Sequence, residues 1–183
     1  MATFRSTLFT ATIALAAFSG AASASNPMVG GAAMYTTRNI VENAVNSRDH
    51  TTLVAAVKAA DLVGTLSGPG PFTVFAPTNA AFAKLPAGTV DTLVKPENKA
   101  TLSSILTYHV VTGRITAAMI AANARAHHGH ATYTTVQGGS LTFSRWGSGW
   151  AITDAKGNRG MITTANVMQS NGVIHVIDTV MMP

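Results

Sequence analysis

The chain has 183 residues, of which 47% are hydrophobic and 10% are charged, and it contains no cysteine. Soluble domains carry about 25% charged residues, and disorder combines low hydrophobicity with high net charge, so this composition argues against a disordered chain. The lack of cysteine excludes a disulfide scaffold, a zinc–thiolate site and a thiol enzyme. The 12 Lys and Arg residues are dispersed along the chain, which gives no charge pattern typical of nucleic-acid binding.

Residues 1–24 have the pattern of a secretory signal peptide. Arg5 supplies a positive charge, an uncharged apolar run follows over residues 6–18, and Ala22 and Ala24 fit a signal-peptidase site. A buried N-terminal helix is the alternative interpretation. Because no later stretch approaches ~18 uncharged apolar residues, we predict no transmembrane segment in the mature protein. The protein is therefore expected to be exported, to the periplasm or to the extracellular space.

Residues 25–38 show no helical or strand periodicity, and a proline and two glycines interrupt them. We expect a flexible N-terminal arm here, although apolar side chains such as Val29 and Met34 can still pack onto the domain. We expect residues 39–183 to form the folded domain. A chain of that length can bury enough of its surface to fold without disulfide bonds.

The first part of the domain has mainly helical signals. Capping residues, apolar residues at helical spacing, and breaks at Gly and Pro predict a series of short helices. These are expected at residues 39–45, 50–60 with Asp49 as the cap, 79–82, 89–94, 96–108 and 117–122 with Thr116 as the cap. One nearly continuous apolar run, residues 72–76, predicts a buried strand among them.

After residue 130 the apolar pattern changes to a period of two. Strands separated by Gly-rich hairpin turns are expected at residues 131–136, 140–146, 150–153, 159–163 and 173–177. Helices with one strand, followed by a run of strands, indicate an α+β fold rather than alternating α/β units.

Three segments of this domain resemble signatures of the fasciclin (FAS1) domain family. The segment Thr73–Phe82 reads TVFAPTNAAF and is similar to the first signature. The segment Asn171–Asp178 reads NGVIHVID and is similar to the second. Between them, Leu106–Val111 reads LTYHVV and matches the Tyr-His segment of the family. The resemblance spans residues 39–183 and is specific, because all three motifs occur in the family's order.

This resemblance implies a wedge of β-sheets packed with several short helices. It also implies adhesion or matrix binding rather than catalysis, and it names no cofactor. Small exported bacterial proteins with a single fasciclin domain are the relatives that it suggests. The expected partner is a cell-surface or matrix protein or a polysaccharide.

The resemblance implies a ligand-binding role for Tyr108 and His109, because the Tyr-His segment of animal relatives is associated with integrin recognition. A core position for His109 is the alternative, because His109 continues the apolar face that Ile105 and Leu106 form on the predicted helix. A second adhesion element of the family is altered here. Asn166 stands where an acidic residue is expected, and an amide is a weaker ligand for an integrin-bound metal, which argues against integrin binding of the animal type.

An extracytoplasmic hydrolase that uses His109 or His175 is an alternative function. His175 and Asp178 lie three residues apart on a predicted strand. Side chains at an odd offset point to opposite faces of a strand, so this spacing disfavours a catalytic dyad. The sequence also lacks the Gly-x-Ser-x-Gly elbow of many hydrolases.

A second alternative is weak metal binding by the loop that contains His127, His128 and His130. Imidazole is a good ligand for zinc, copper and nickel. A stable site, however, draws its ligands from separate elements supported by further hydrogen bonds, and a solvated loop is the competing interpretation.

Two tryptophans, Trp146 and Trp150, flank the predicted hairpin turn over residues 147–149. If they lie near each other across the hairpin and are exposed, they can stack on a sugar ring. The competing interpretation places both in the core.

Overall fold

A computed structural model describes residues 26–183 of the chain. These residues form seven α-helices, nine strands and two short 3-10 turns. The helices are α1 (Ile40–Ala44), α2 (Thr51–Ala59), α3 (Val63–Leu66), α4 (Asn79–Ala83), α5 (Thr89–Leu93), α6 (Lys99–Tyr108) and α7 (Ala117–Ala126). The strands are β1 (Met28–Val29), β2 (Ala32–Ala33), β3 (Phe72–Pro77), β4 (Val110–Thr112), β5 (His130–Thr134), β6 (Ser140–Trp146), β7 (Gly149–Thr153), β8 (Arg159–Gln169) and β9 (Gly172–Ile177). The 3-10 turns, Arg48–His50 and Pro96–Asn98, precede α2 and α6. Across residues 26–183 no helix is long and apolar enough to cross a membrane.

Seven strands form one sheet in the order β4-β3-β9-β8-β7-β6-β5. Strands β3 and β9 pair in parallel, and all other neighbours in this sheet are antiparallel. The two edges approach each other, because the N–H of Val136, just after β5, donates to the carbonyl of Val110 in β4 over 2.7 Å. The sheet therefore bends towards a closed barrel. The architecture confirms the predicted α+β class.

The sheet separates two apolar cores. Alternate residues of β3 point to opposite sides, so Val74 packs with the side chains of α1, α2 and α6, whereas Phe75 packs with those of β5–β7 and α7. Phe75 is fully buried, and its ring is tilted against that of Phe143 with the centroids 5.0 Å apart. This division confirms that the 72–76 run is a strand buried on both faces.

Side-chain caps explain where several helices begin. Asn39 and Glu42 form a reciprocal capping box at α1, as the sequence predicts for a helix start there. Thr78 accepts the N–H of Ala81 at α4, and Thr116 accepts the N–H of Met119 at α7. Helix α7 runs four residues beyond its predicted end, to Ala126.

The predicted capping of α2 by Asp49 is wrong. Asp49 lies inside the 3-10 turn that precedes the helix, and its side chain makes no capping bond there. Instead, Asn79 accepts the N–H of Thr52 over 3.0 Å and donates to the carbonyl of Arg48 over 2.8 Å. A residue of the first family motif thus caps a helix that begins 28 residues earlier in the chain.

The expected flexible arm over residues 25–38 is corrected by the structure. From residue 26 onward this segment packs on the domain: β1 and β2 form a small hairpin, and Val29 and Met34 are 8% and 2% exposed. Asn43 fixes the segment through its side chain, which accepts from the N–H of Tyr35 and donates to the carbonyl of the same residue. The sequence allowed for the packing of Val29 and Met34 but did not predict the hairpin or the Asn43 contacts, because side chains and turns without periodicity make them. The predicted signal peptide, residues 1–24, lies outside the described residues.

Candidate functional site

Tyr108 of the Tyr-His segment is a core residue whose hydroxyl both donates and accepts a hydrogen bond. Its side chain is fully buried, its hydroxyl donates to the carbonyl of Ser140 over 2.6 Å, and it accepts the N–H of Ala155 over 2.9 Å. Burial raises the pKa of Tyr108, so the phenol stays protonated at neutral pH. The hydroxyl therefore joins the end of α6 to the start of β6 and to the turn between β7 and β8.

His109 is likewise enclosed, with 2% of its surface exposed, at the C-terminus of α6. Its Nε2 accepts the backbone N–H of Met181 over 3.0 Å. Because a backbone N–H is always a donor, the ring proton lies on Nδ1, which donates to the carbonyl of Ile105 over 2.8 Å. Burial lowers the pKa of His109 to about 4. The imidazole is thus a neutral structural group with both nitrogens occupied.

These two residues were expected from the resemblance to contact a ligand. The structure corrects that expectation for the side chains themselves, because both lie inside the protein. A pocket does lie beside His109, but its lining is apolar except for Lys58 and His109 itself. Among the described residues that line this pocket there is no carboxylate and no hydroxyl that a histidine could activate. The hydrolase alternative finds no support at His109.

His175, in the second family motif (Asn171–Asp178), is fully buried on β9. Its Nε2 donates to the carbonyl of Ile115 over 2.8 Å, and its ring stacks on Phe75 with centroids 5.5 Å apart. Its Nδ1 accepts the N–H of Asn166 over 3.4 Å. Burial lowers the pKa of His175, which keeps the ring neutral.

Asp178 does not pair with His175. Its Oδ1 accepts the N–H of Met161 over 2.7 Å, and Lys84 lies 3.4 Å from Oδ2. Burial acts to raise the pKa of Asp178, but the bonds from Met161, Thr179 and Lys84 outweigh it and hold that pKa below its usual value. His175 on β9 and Asp178, which directly follows β9, thus have different partners, in agreement with the expectation that they do not form a dyad.

Two further residues of the second family motif, Asn171 and Gly172, have structural roles. Asn171 is buried at the turn between β8 and β9, where it accepts the N–H of Ile40 and donates to the carbonyls of Leu66 and Gly68. A Cβ on Gly172 would overlap the carbonyl oxygen of Phe72. This role of Asn171 was not predicted, and its only signal in the sequence is an Asn-Gly pair just before an apolar strand.

Comparison with known proteins agrees with these motifs. The family model described as Fasciclin domain matches residues 48–183. The chain belongs to the fasciclin domain family.

Relatives of this fasciclin domain occur in cyanobacteria and mycobacteria. The Synechocystis protein sll1483 is 50% identical over 158 residues, which cover 85% of this chain and 79% of that protein. The immunogenic protein MPB70 of Mycobacterium bovis is 40% identical over 145 residues, 76% of this chain and 66% of that protein. The cell surface glycolipoprotein MPB83 of the same species is 43% identical over 123 residues, 67% of this chain and 48% of that protein.

A solved structure shares the fold. The pair of domains from the insect cell adhesion molecule fasciclin I superposes with a TM-score of 0.70 at 17% sequence identity. The match covers 80% of this chain and 51% of that one. Together with the family match, it confirms the predicted fasciclin fold.

Asn166, where the family's acidic residue was expected, has a structural role in this fasciclin domain. It adopts a left-handed backbone with φ of 60° inside the irregular part of β8. Its side-chain oxygen accepts the N–H of Ala117 over 2.8 Å and so helps to cap α7. The amide is therefore engaged within the domain.

The histidine loop is exposed but does not assemble a site. His127 ends α7 and its Nδ1 donates to the carbonyl of Asn123 over 2.9 Å, whereas His130 lies on β5. His128, between them, has a left-handed backbone with φ of 52°. Within the part of the chain that the structure describes, no three His, Cys, Asp or Glu residues are grouped so as to hold a metal ion.

The two tryptophans lie on opposite faces of their hairpin. Arg145 pairs with Trp150 and Trp146 pairs with Gly149, so a one-residue offset separates the two indoles. Trp150 is 8% exposed and belongs to the core, whereas Trp146 is 55% exposed. The expectation of a neighbouring tryptophan pair is wrong, and Trp146 alone is accessible for stacking.

Proposed function

We propose that this fasciclin-domain protein is an exported, non-enzymatic adhesion module that binds a cell-surface or matrix component. The named functions of its relatives support the proposal, because one is a cell surface glycolipoprotein and the structural neighbour belongs to a cell adhesion molecule. The motif for a signal peptide in residues 1–24 supports export.

The observation that carries the proposal is the state of the motif histidines. His109 and His175 each have both ring nitrogens in hydrogen bonds and a lowered pKa. A general base needs a free nitrogen within reach of a substrate and a pKa near the working pH. Neither histidine meets these conditions, so the motifs that define the family here build the fold and leave binding to the surface.

The contact surface proposed here is not the Tyr108–His109 segment itself. Of the three candidate aromatic residues, Tyr108, Trp146 and Trp150, Trp146 is the exposed one, at 55%. An exposed indole combines a large apolar face with a polar N–H, which suits both protein and sugar partners. We therefore assign the adhesive contact to the face of the sheet on which Trp146 lies.

Attachment assays test this function. Cells of the source organism lacking the gene are expected to attach less to a surface, and beads coated with the purified protein are expected to bind to the parent cells. Beads coated with heat-unfolded protein are the control. Equal attachment of both strains, together with no binding of the coated beads, would refute the adhesion proposal.

Export has a separate test. The mass of the protein recovered outside the cytoplasm is expected to correspond to a chain that begins at Ser25. Recovery of the uncleaved chain in the cytoplasm would contradict the proposed localisation without bearing on adhesion.

A further inference from the structure

The strands β5–β8 present one continuous outer face on the side away from the core. Register places Thr132, Thr142, Thr153 and Arg159 in one row across the four strands. The next row contains His130, Ser144, Ala151 and Met161, and the pair Trp146 and Gly149 follows. Residues two apart on a strand share a face, so these rows together form what we call the outer face.

Most of the outer face is open and rich in hydroxyl groups. Thr132, His130, Trp146 and Arg159 are exposed, and Thr142, Ser144 and Thr153 are half-buried. Neighbouring strands are about 4.8 Å apart, so the four-strand row spans about 14 Å, comparable to two or three sugar units. Hydroxyl groups both donate and accept hydrogen bonds, as sugar hydroxyls require.

The second part of the described chain has the more positive net charge. Residues 113–183 contain five Lys and Arg residues and two acids, Asp154 and Asp178, whereas residues 26–112 contain six and five. Asp154 is 6% exposed, and its carboxylate accepts four hydrogen bonds, from Lys156, Asn158 and Met182. The rows of the outer face therefore contain one arginine, Arg159, and no carboxylate, and the nearby carboxylate of Asp178 is engaged with the N–H of Met161 and with Lys84.

Arg159 is placed for an anion next to the exposed indole. Its guanidinium carbon lies 5.0 Å from the centre of the Trp146 ring. The ion pairs found among residues 26–183 are Lys84 with Asp178 and Lys99 with Asp61, so Arg159 has no carboxylate partner in that range. A guanidinium held against an aromatic face keeps N–H donors free for a carboxylate or sulfate.

We propose that the outer face binds an acidic polysaccharide, such as a polyuronate. Arg159 pairs with a carboxylate of the chain, Trp146 contacts a sugar ring, and the threonine row hydrogen-bonds to sugar hydroxyls. This inference rests on the proposed adhesion function and names the class of its partner. A sugar is favoured over an acidic peptide because the face offers a row of hydroxyls beside a single indole rather than apolar pockets for side chains.

Binding of the purified protein to polygalacturonate tests the proposal, with dextran as the uncharged sugar polymer and polyglutamate as the acidic polymer without sugar. We expect measurable binding to polygalacturonate that weakens with salt, no binding to dextran, and at least about tenfold weaker binding to polyglutamate at equal charge. Equal affinity for polyglutamate and polygalacturonate would overturn the proposal in favour of an acidic protein partner. No binding to polygalacturonate at low salt would also overturn it.

Two variants locate the site. Arg159→Gln and Trp146→Ala are each expected to raise the Kd for polygalacturonate by about tenfold, as expected for loss of a charge-assisted bond or an aromatic contact. Arg145→Gln is the matched control, because it removes the same charge from the opposite face of β6, where Arg145 lies 5.2 Å from the ring of Trp150. It is expected to change the Kd less than about twofold. Equal losses in Arg145→Gln and Arg159→Gln would contradict a site on the outer face.

Circular dichroism and thermal unfolding check that each variant is folded; Trp146→Phe replaces Trp146→Ala if the latter is not. The outcomes also separate the two proposals. If coated beads attach to cells but polygalacturonate does not bind, the polysaccharide assignment fails and the adhesion function stands. If coated beads and the deletion strain show no attachment phenotype, the adhesion function fails whatever the polysaccharide result.

Discussion

Met181 donates its backbone N–H to Nε2 of His109, although the two residues are 72 positions apart in the chain. The bond ties the segment that follows β9 to the end of α6, and Met181 itself is fully buried. It also fixes the tautomer of His109, because the accepting nitrogen cannot carry the proton. Tyr108 and His109, the residues for which the family resemblance implies ligand binding, therefore belong to the scaffold.

The neutral state of His109 has a consequence for stability against acid. Its pKa is lowered from 6.5 to about 4 in the folded protein, so the unfolded chain binds more protons than the folded one between these values. Its contribution to the free energy of unfolding is complete above pH 6.5 and is lost as the pH falls towards 4. His175 and His50, whose pKa values are also lowered, act in the same direction.

Nitrogen NMR of the imidazole rings checks this directly. We expect Nε2 of His109 to have the chemical shift of an unprotonated nitrogen at pH 5.5, and urea unfolding to show decreasing stability from pH 7 to pH 4.5. A His109 ring that titrates near 6.5 would contradict the buried, neutral assignment.

Asn79→Ala is expected to lower the free energy of unfolding by about 1–2 kcal/mol, because it removes the cap of α2 and the bond to Arg48. Asn79→Asp keeps an acceptor at the N-terminus of α2 and is expected to cost less. Denaturant unfolding of the three proteins measures the difference. Equal stability of Asn79→Ala and the parent protein would show that this contact does not support the fold.

Gly139→Ala tests the packing around Tyr108. A Cβ at this position would lie 2.6 Å from Cε2 of Tyr108, so the buried ring must shift, at a cost of about 1–3 kcal/mol. Gly64→Ala is the control, because its Cβ would meet nothing within 4 Å. Thermal unfolding should show a lower Tm only for the first variant. An unchanged Tm in Gly139→Ala would mean that Tyr108 is less tightly enclosed than the structure shows.

Asn171→Ala removes three hydrogen bonds at once, two of them buried and one partly buried. Because the N–H of Ile40 and the carbonyls of Leu66 and Gly68 lose their partner, we expect a cost of about 2–4 kcal/mol, near the upper end for single substitutions. Asn46→Ala, which removes one exposed bond to the carbonyl of Glu42, is the comparison. Similar unfolding midpoints for the two variants would contradict the central role of Asn171.

Local sequence patterns predicted most of the helices and strands. The features that these patterns failed to predict depend on polar contacts between distant parts of the chain. The strand at residues 72–76 and the hairpin strands were predictable because alternation and turn residues are local signals. The cap of α2 was not, because Asn79 reaches it from another part of the chain. The packing of residues 26–38 depends likewise on Asn43. The placement of Trp146 and Trp150 on opposite faces depends on the hairpin register, which differs by one residue from the register that would pair them.

Attachment of cells to surfaces coated with Trp146→Ala or Tyr108→Phe tests the central claim most directly, namely that the outer face and not the Tyr-His segment makes the adhesive contact. Tyr108→Phe loses two internal hydrogen bonds and is expected to be less stable, yet to hold as many cells as the parent protein at temperatures where it is folded. Trp146→Ala is expected to remain folded and to hold several-fold fewer cells. Normal attachment by Trp146→Ala together with loss in folded Tyr108→Phe would contradict the account.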